Sequence, residues 1–162
     1  MKSQLPFAVA IVAATAIVPT SLAHAKKSWR PLCTAKGQQA YAGCVLRNGK
    51  QVAFCMPKGR AQPRGDGTGK KLRVTTLTYV FASQSGRVEL IHPKGRSAVF
   101  HVSSQRFVRG ERFVISFSRG SYTYHYEHGL FGGQDATPKN SFHGMKIFRK
   151  KRLVSTLTCR PG

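Results

Sequence analysis

Short runs of alternating apolar and polar residues, separated by glycine, proline, asparagine and serine, constrain the fold of this chain more than any other feature. A period of two is typical of strands with one buried face, and no long segment has apolar residues at helical spacing. Evenly spaced short strands with tight connections predict an all-β fold, either a small antiparallel β-barrel or a sandwich. The candidate strands are residues 41–47, 50–56, 72–81, 87–92, 98–102, 112–118, 122–127, 144–149 and 153–159.

The first 25 residues have the features of a secretory signal peptide. Lys2 precedes an apolar run at residues 5–18, and Ala23 and Ala25 occupy the small-residue positions that a signal peptidase requires. The apolar run is too short to span a bilayer. We therefore expect residues 1–25 to be removed on export and residues 26–162 to form a single β domain. The product should be periplasmic or secreted, with no transmembrane segment.

Export makes disulfides the expected state of the four cysteines. Their spacing is irregular and contains no C-x-x-C pair, so metal ligation is disfavoured and no metal is predicted. Four cysteines allow three pairings, and the residues alone leave the choice open. The disulfide residues are Cys33, Cys44, Cys55 and Cys159.

The segment between the second and third cysteines reads as a hairpin that turns at residues 48–49. In that register Cys44 is opposite Ala53 and Cys55 is opposite Ala42, so the two sulfurs share a face but lie diagonally. That separation is near the limit for a disulfide. We therefore expect each cysteine to pair outside the hairpin, with Cys159 joining the last strand to the first.

The chain is strongly basic, with 27 lysines and arginines against five acidic residues and a net charge of +22. Such a balance attracts polyanions: nucleic acid, an envelope polyanion such as lipopolysaccharide, anionic lipid, or an acidic protein surface. Selection for solubility alone is the alternative explanation. Two basic segments, a Gly- and Pro-rich loop at 57–71 and a hairpin at 146–152, are the expected binding regions. Their cations are Lys58, Arg60, Arg64, Lys70, Lys71, Lys146, Arg149, Lys150, Lys151 and Arg152.

Residues 112–127 read as a second hairpin, turning at residues 119–120. One face would carry the aromatic and apolar side chains of both strands and should face the core. The other face would carry His125 and Glu127, with Arg112 directly across from the glutamate. His128 points the other way, which excludes a simple H-x-x-H metal site.

The three polar residues of this hairpin allow two interpretations. His125, Glu127 and Arg112 supply a general acid, a general base and a cation, the roles that a metal-independent ribonuclease requires. The alternative is an ordinary cross-strand ion pair beside a solvated histidine. No other catalytic arrangement and no cofactor-binding motif is found in the sequence.

Four segments carry a recurrent pattern: "CVLRNGKQVAFC" at 44–55, "LTYVFASQSGRVELIHP" at 77–93, "FSRGSYTYHYE" at 117–127 and "GMKIFRKKRLVSTLTC" at 144–159. The pattern resembles an uncharacterised family of small exported proteobacterial β-proteins. The resemblance implies an exported, disulfide-linked β-fold; it implies no activity and no site residues.

The sequence as a whole predicts an exported basic β-protein that binds an anionic partner without catalysis. Two alternatives stay open. One is a secreted metal-independent ribonuclease or toxin-like hydrolase, and the other is a periplasmic inhibitor or immunity protein.

Overall fold

The structure is all-β, as the alternating pattern predicts. A computed structural model describes residues 28–35, 37–95, 97–131 and 142–161. The predicted signal peptide, residues 1–25, lies outside these ranges. Among the described residues, no helix is long and apolar enough to cross a bilayer. A 3-10 turn, Arg30–Cys33, precedes ten strands: β1 (Gln38–Val45), β2 (Gln51–Pro57), β3 (Leu72–Val74), β4 (Thr78–Ala82), β5 (Val88–His92), β6 (Phe100–Phe107), β7 (Gly110–Arg119), β8 (Tyr122–Phe131), β9 (His143–Arg149) and β10 (Arg152–Thr158).

The strands form two antiparallel sheets. The four-stranded sheet has the order β1-β2-β4-β5, and the six-stranded sheet has the order β10-β9-β8-β7-β6-β3. Strands β6 to β10 follow one another as a meander, whereas β3 and β4 lie in different sheets although they are consecutive in the sequence. Buried side chains from both sheets form one core, so the fold is the sandwich of the two predicted alternatives.

Phe54 of β2 lies at the centre of this core and is fully buried. Its ring centroid is 5.4 Å from that of Tyr79 in its own sheet. Across the interface it lies 6.4 Å from Phe100, 6.2 Å from Phe117 and 5.4 Å from Tyr126. These edge-to-face and tilted contacts add to the burial of apolar area, so Phe54 contributes to the packing of the two sheets against each other.

Strand β2 is buried on both faces. Its even-numbered residues from Val52 to Met56 face the six-stranded sheet, and Ala53 and Cys55 face a smaller cluster that the 3-10 turn covers. The Cys33–Cys55 disulfide fixes that turn against the strand.

The second disulfide joins Cys44 to Cys159. Both cysteines of the first hairpin therefore pair outside it, and Cys159 ties the end of β10 to β1, as predicted. The prediction that Cys44 and Cys55 share a face was wrong. The turn is longer than two residues, since Val45 pairs with Gln51, and a bulge between Ala40 and Ala42 shifts the register again. The two sulfurs consequently lie on opposite faces of the sheet.

Residues 72–81 were predicted as one strand, but they form β3 and β4 in different sheets. Val74 and Leu77 are both buried although they are three residues apart, an odd spacing that no straight strand with one buried face allows. The chain therefore bends at residues 75–76 and crosses from one sheet to the other.

The β7–β8 hairpin has the predicted faces in a different register. Its two-residue turn is Gly120-Ser121, so Phe117 pairs with Tyr124 and Ile115 pairs with Tyr126. Gly120 has φ +59°, which fits glycine at the first central position of a tight hairpin turn. The partner of each residue moves by two positions, which leaves every side chain on its predicted face. Arg112 is therefore opposite Gly129, and Glu127 is opposite Val114.

Candidate functional site

The outer face of the six-stranded sheet, which points away from the four-stranded sheet, carries a row of polar side chains. Arg73 of β3 pairs with His101 of β6, which pairs with Ser116 of β7. Ser116 pairs with His125 of β8, which pairs with Lys146 of β9. With about 4.8 Å between strands, the row extends roughly 19 Å across the sheet. Each member alternates with a core-facing apolar residue, which places its side chain on the outer face.

A concavity of about 380 Å³ lies on this outer face. Its polar lining includes Lys71, His101, Ser116 and His125. Partial burial lowers the pKa of His125, and the nearby cations Lys71, Arg112 and Lys146 lower it further. Burial is the main reason that the neutral form of His125 is favoured, and the positive potential of the nearby cations also attracts an anion to the concavity.

Glu127 is buried, with 3% of its surface exposed, between two cations. Arg112 Nη2 bonds to Glu127 Oε1, which it reaches diagonally across the strand pair. Lys146 Nζ lies 2.5 Å from Glu127 Oε2, an ion pair without hydrogen-bond geometry, since that oxygen has no hydrogen-bond partner. The structure thus brings the predicted group of His125, Glu127 and Arg112 together. Because each carboxylate oxygen faces a cation, Glu127 acts as a counter-ion that positions Arg112 and Lys146.

The acids of this sheet leave the outer face positive. In the described strands of the six-stranded sheet, the acidic residues are Glu111 and Glu127. Glu111 lies an even number of residues from the core residue Ile115, so its side chain is on the core-facing side of the sheet and not on the outer face. Glu127 is covered by its two cationic partners. The exposed charge that the strands present on the outer face is consequently cationic.

The turn between β9 and β10 is a second cationic feature. Arg149 pairs with Arg152, and Lys150 and Lys151 form a two-residue turn with φ values of +47° and +66°. All four side chains are exposed. A turn with both central residues in the left-handed region normally contains Asn-Gly, because a side chain there costs about 1–2 kcal/mol per residue. The Arg149 guanidinium lies 5.7 Å from the centre of the Tyr122 ring.

The ten predicted binding cations occupy three places. Lys58 and Arg60 lie where the chain leaves β2 of the four-stranded sheet, and Arg64 lines a cavity at one end of the sandwich. The others lie on or beside the six-stranded sheet: Lys70, Lys71, Lys146, Arg149, Lys150, Lys151 and Arg152.

The second half of the 57–71 loop is held along β6. Gly69 N donates to Ser104 O at 2.7 Å, and Arg106 N donates to Gly67 O at 2.8 Å. These bonds continue the pairing of β3 with β6 and set the position of Lys70 and Lys71 at the margin of the outer face.

The sandwich-end cavity, of about 480 Å³, contains residues that the sequence did not single out. Its core-facing wall is a second row across the strands, in which Phe113 pairs with Ser104 and His128, and His128 pairs with His143. β8 continues beyond Glu127 and its alternation places His128 on this wall, so the prediction that His128 points away from His125 is confirmed. That inward histidine was the available signal.

His143 also lies near the second disulfide. A ring nitrogen of His143 and the sulfurs of Cys44 and Cys159 lie within 4.8 Å of one another. The two sulfurs are bonded to each other, so this group offers an imidazole and no thiolate.

No family model matches the chain, and no curated protein and no solved structure is significantly similar to it. The resemblance to exported proteobacterial β-proteins therefore stays a prediction. The fold and site define a disulfide-linked β-sandwich with one cationic sheet.

Proposed function

We propose that this protein binds an anionic polymer outside the cytoplasm, through the outer face of the six-stranded sheet and the turn at residues 149–152, without chemical change to the polymer. The observation that carries the proposal is the burial of Glu127 between two cations. The strand acid on this face is buried between Arg112 and Lys146, whereas Lys71 and Arg73 are exposed and have no acid beside them on the strands of this face. Each bound phosphate or sulfate would displace condensed counter-ions from the polymer, which drives association.

Aromatic rings beside the cations favour single-stranded nucleic acid over other polyanions. On the outer face, the Phe148 ring centroid lies 4.9 Å from that of His125. Bases stack on such rings while neighbouring cations bind the phosphates. Sulfated glycans and acidic proteins offer the same charge but no bases to stack.

The predicted export agrees with the same interpretation. Both disulfides are typical of an oxidising compartment, which agrees with the predicted signal peptide. We place the protein in the periplasm or the secreted fraction. N-terminal sequencing of the protein recovered from those fractions should begin at Lys26.

Binding to a fluorescently labelled single-stranded RNA, followed by anisotropy, tests the proposed surface. Lys71→Gln/Arg73→Gln removes two charges from the outer face and should weaken binding about tenfold at low salt. Arg87→Gln/Lys94→Gln removes two exposed charges from the β4–β5 turn and the segment after β5, and should change affinity much less. Equal weakening by the two double variants would show that net charge alone, and no particular surface, determines binding.

A ribonuclease is the second candidate, favoured by the two histidines that flank Ser116 in the outer concavity. His101 and His125 lie two strands apart, roughly 10 Å between backbones. One imidazole could accept the 2′-hydroxyl proton while the other donates a proton to the leaving 5′-oxygen. Incubation with RNA in excess EDTA should then give cleavage that His101→Ala and His125→Ala each abolish. Intact RNA with the wild-type protein, or cleavage that survives both substitutions, would eliminate this activity at the site.

A further inference from the structure

The sandwich-end cavity is separate from the cationic outer face and opens between the two sheets. Tyr41 and Gly43 of β1 form one side, Arg64 and Gly65 reach it from the 57–71 loop, and the core-facing wall of the six-stranded sheet forms the other side. Trp29 completes the lining. At about 480 Å³, the cavity is large enough for a small organic molecule.

Hydrogen bonds and ring contacts hold the aromatic walls in place. The Tyr41 hydroxyl donates to Pro63 O, and the Tyr41 ring packs edge-on against Phe113 with 6.0 Å between centroids. The Tyr126 hydroxyl lies 3.2 Å from Gly43 O and 2.7 Å from His143 Nε2. Because these contacts fix the side chains without a ligand, the cavity is preformed.

Gly43 is required for this arrangement. A Cβ atom at this position would lie 2.7 Å from the Trp29 ring and 2.3 Å from Val52 O, with φ at +156°. Glycine therefore lets the indole pack directly on the backbone of β1, where it forms part of the cavity wall.

The interior of the cavity is uncharged at neutral pH, and its charged groups are exposed. Burial lowers the pKa of His143 to about 4, with a further contribution from His128. Burial also lowers the pKa of His128, against the opposing effect of Glu111. Arg64, Arg106 and Glu111 are exposed lining residues, and together they carry one net positive charge.

We propose that the sandwich-end cavity binds a small planar aromatic molecule that carries a single anionic group, with the ring packed against Trp29, Tyr41 and Phe113 and the anion at Arg64 and Arg106. The ring gains apolar contact with the walls, and the anion gains charge-assisted hydrogen bonds from the guanidinium groups. The neutral imidazoles and the Tyr126 hydroxyl offer polar contacts without a competing charge. This activity is independent of polymer binding at the outer face.

The single tryptophan of the chain makes the site observable, because Trp29 gives one indole N–H signal in a ¹H–¹⁵N spectrum. The matched probes are 2-naphthoate and 2-naphthamide, which have the same ring system and differ in charge. We expect 2-naphthoate to shift the Trp29 indole signal in a saturable manner and to bind about tenfold more tightly than 2-naphthamide.

Charge variants locate the anion. Arg64→Gln and Arg106→Gln should each weaken 2-naphthoate binding about fivefold to tenfold and leave 2-naphthamide binding unchanged. Arg87→Gln, which removes an exposed arginine far from the lining in the β4–β5 turn, should affect neither probe. Three results would overturn the proposal: an indole signal that neither probe shifts, equal affinities for acid and amide, or equal weakening by Arg87→Gln. Loss of RNA binding would bear on the outer face and not on this cavity.

Discussion

Lys150 and Lys151 illustrate a conflict between local backbone preference and charge. Both adopt left-handed conformations that favour Asn-Gly, yet the chain places two lysines there between two arginines. Strain retained at an exposed turn is consistent with a functional requirement for the side chains. We expect the four adjacent cations at the tip of this hairpin to strengthen polyanion binding. The left-handed conformations of the two lysines lower the stability of the fold in return.

Substituting this turn should separate stability from binding. Lys150→Asn/Lys151→Gly relieves both strained residues and should raise the free energy of unfolding by about 1–2 kcal/mol in urea titrations. The same change should weaken RNA binding severalfold, since two charges are lost. Lys150→Ala/Lys151→Ala is the matched control: it loses the same charges and should gain no stability. If the Lys150→Asn/Lys151→Gly variant binds RNA as tightly as the wild type, the turn is not part of the RNA-binding surface.

His143 should make stability depend on pH. Its folded-state pKa of about 4 lies below its usual value of 6.5, so the unfolded chain binds a proton in this interval that the folded protein does not. The stabilisation is full above pH 6.5 and is lost as the pH falls towards 4. Since the ring is only half-buried, we expect a loss on the order of 1 kcal/mol between pH 7.5 and 5.

Urea unfolding at the two pH values measures this difference, and His143→Gln, which cannot titrate, should reduce it. His128, His125 and His92 also have pKa values lowered first by burial, so a smaller dependence in the same direction should persist in the variant. Greater stability at pH 5 than at pH 7.5 would contradict the burial of neutral imidazoles.

The two disulfides join different elements of the fold and close loops of different length. Cys33–Cys55 closes 22 residues and holds the 3-10 turn over β2. Cys44–Cys159 closes 115 residues and joins β1 to the end of β10, where Arg160 N also donates to Val45 O at 2.8 Å. The longer loop restricts the unfolded chain more strongly.

Removing the disulfides one at a time should reveal that difference. By loop length, Cys33→Ala/Cys55→Ala should cost about 3 kcal/mol and Cys44→Ala/Cys159→Ala about 5 kcal/mol of unfolding free energy. Equilibrium denaturation of both variants under identical conditions gives the comparison. A larger cost for the shorter loop would show that packing around Cys33, and not chain entropy, dominates.

Strand positions were largely predictable, because alternation marks one buried face. The misses have physical causes. Residues 103–106 extend β6 with polar side chains, and Ser104 is buried where its hydroxyl accepts a hydrogen bond from Gly67 N. Such a partner lies 37 residues away and leaves no local signal. The bend after Val74 was detectable in the sequence, because the apolar residues Val74 and Leu77 are separated by an odd number of positions.

At the scale of the whole molecule, the sequence determines how much charge there is but not where it lies. The basicity and the grouping of His125, Glu127 and Arg112 followed from composition and strand alternation. The row from Arg73 to Lys146 did not, because it requires the pairing of five strands. The sandwich-end cavity likewise depends on contacts between both sheets, the 57–71 loop and Trp29, which are distant in the sequence.

The salt dependence of RNA binding tests the proposed cationic surface most directly. The logarithm of the association constant should fall linearly with the logarithm of the NaCl concentration, by about 0.7 for each phosphate contacted. Arg149→Gln/Arg152→Gln should therefore reduce the magnitude of the slope by about 1.4, while Arg87→Gln/Lys94→Gln should leave it unchanged. Binding that is insensitive to salt, or a slope that falls equally in both double variants, would contradict a polyanion site on the six-stranded sheet.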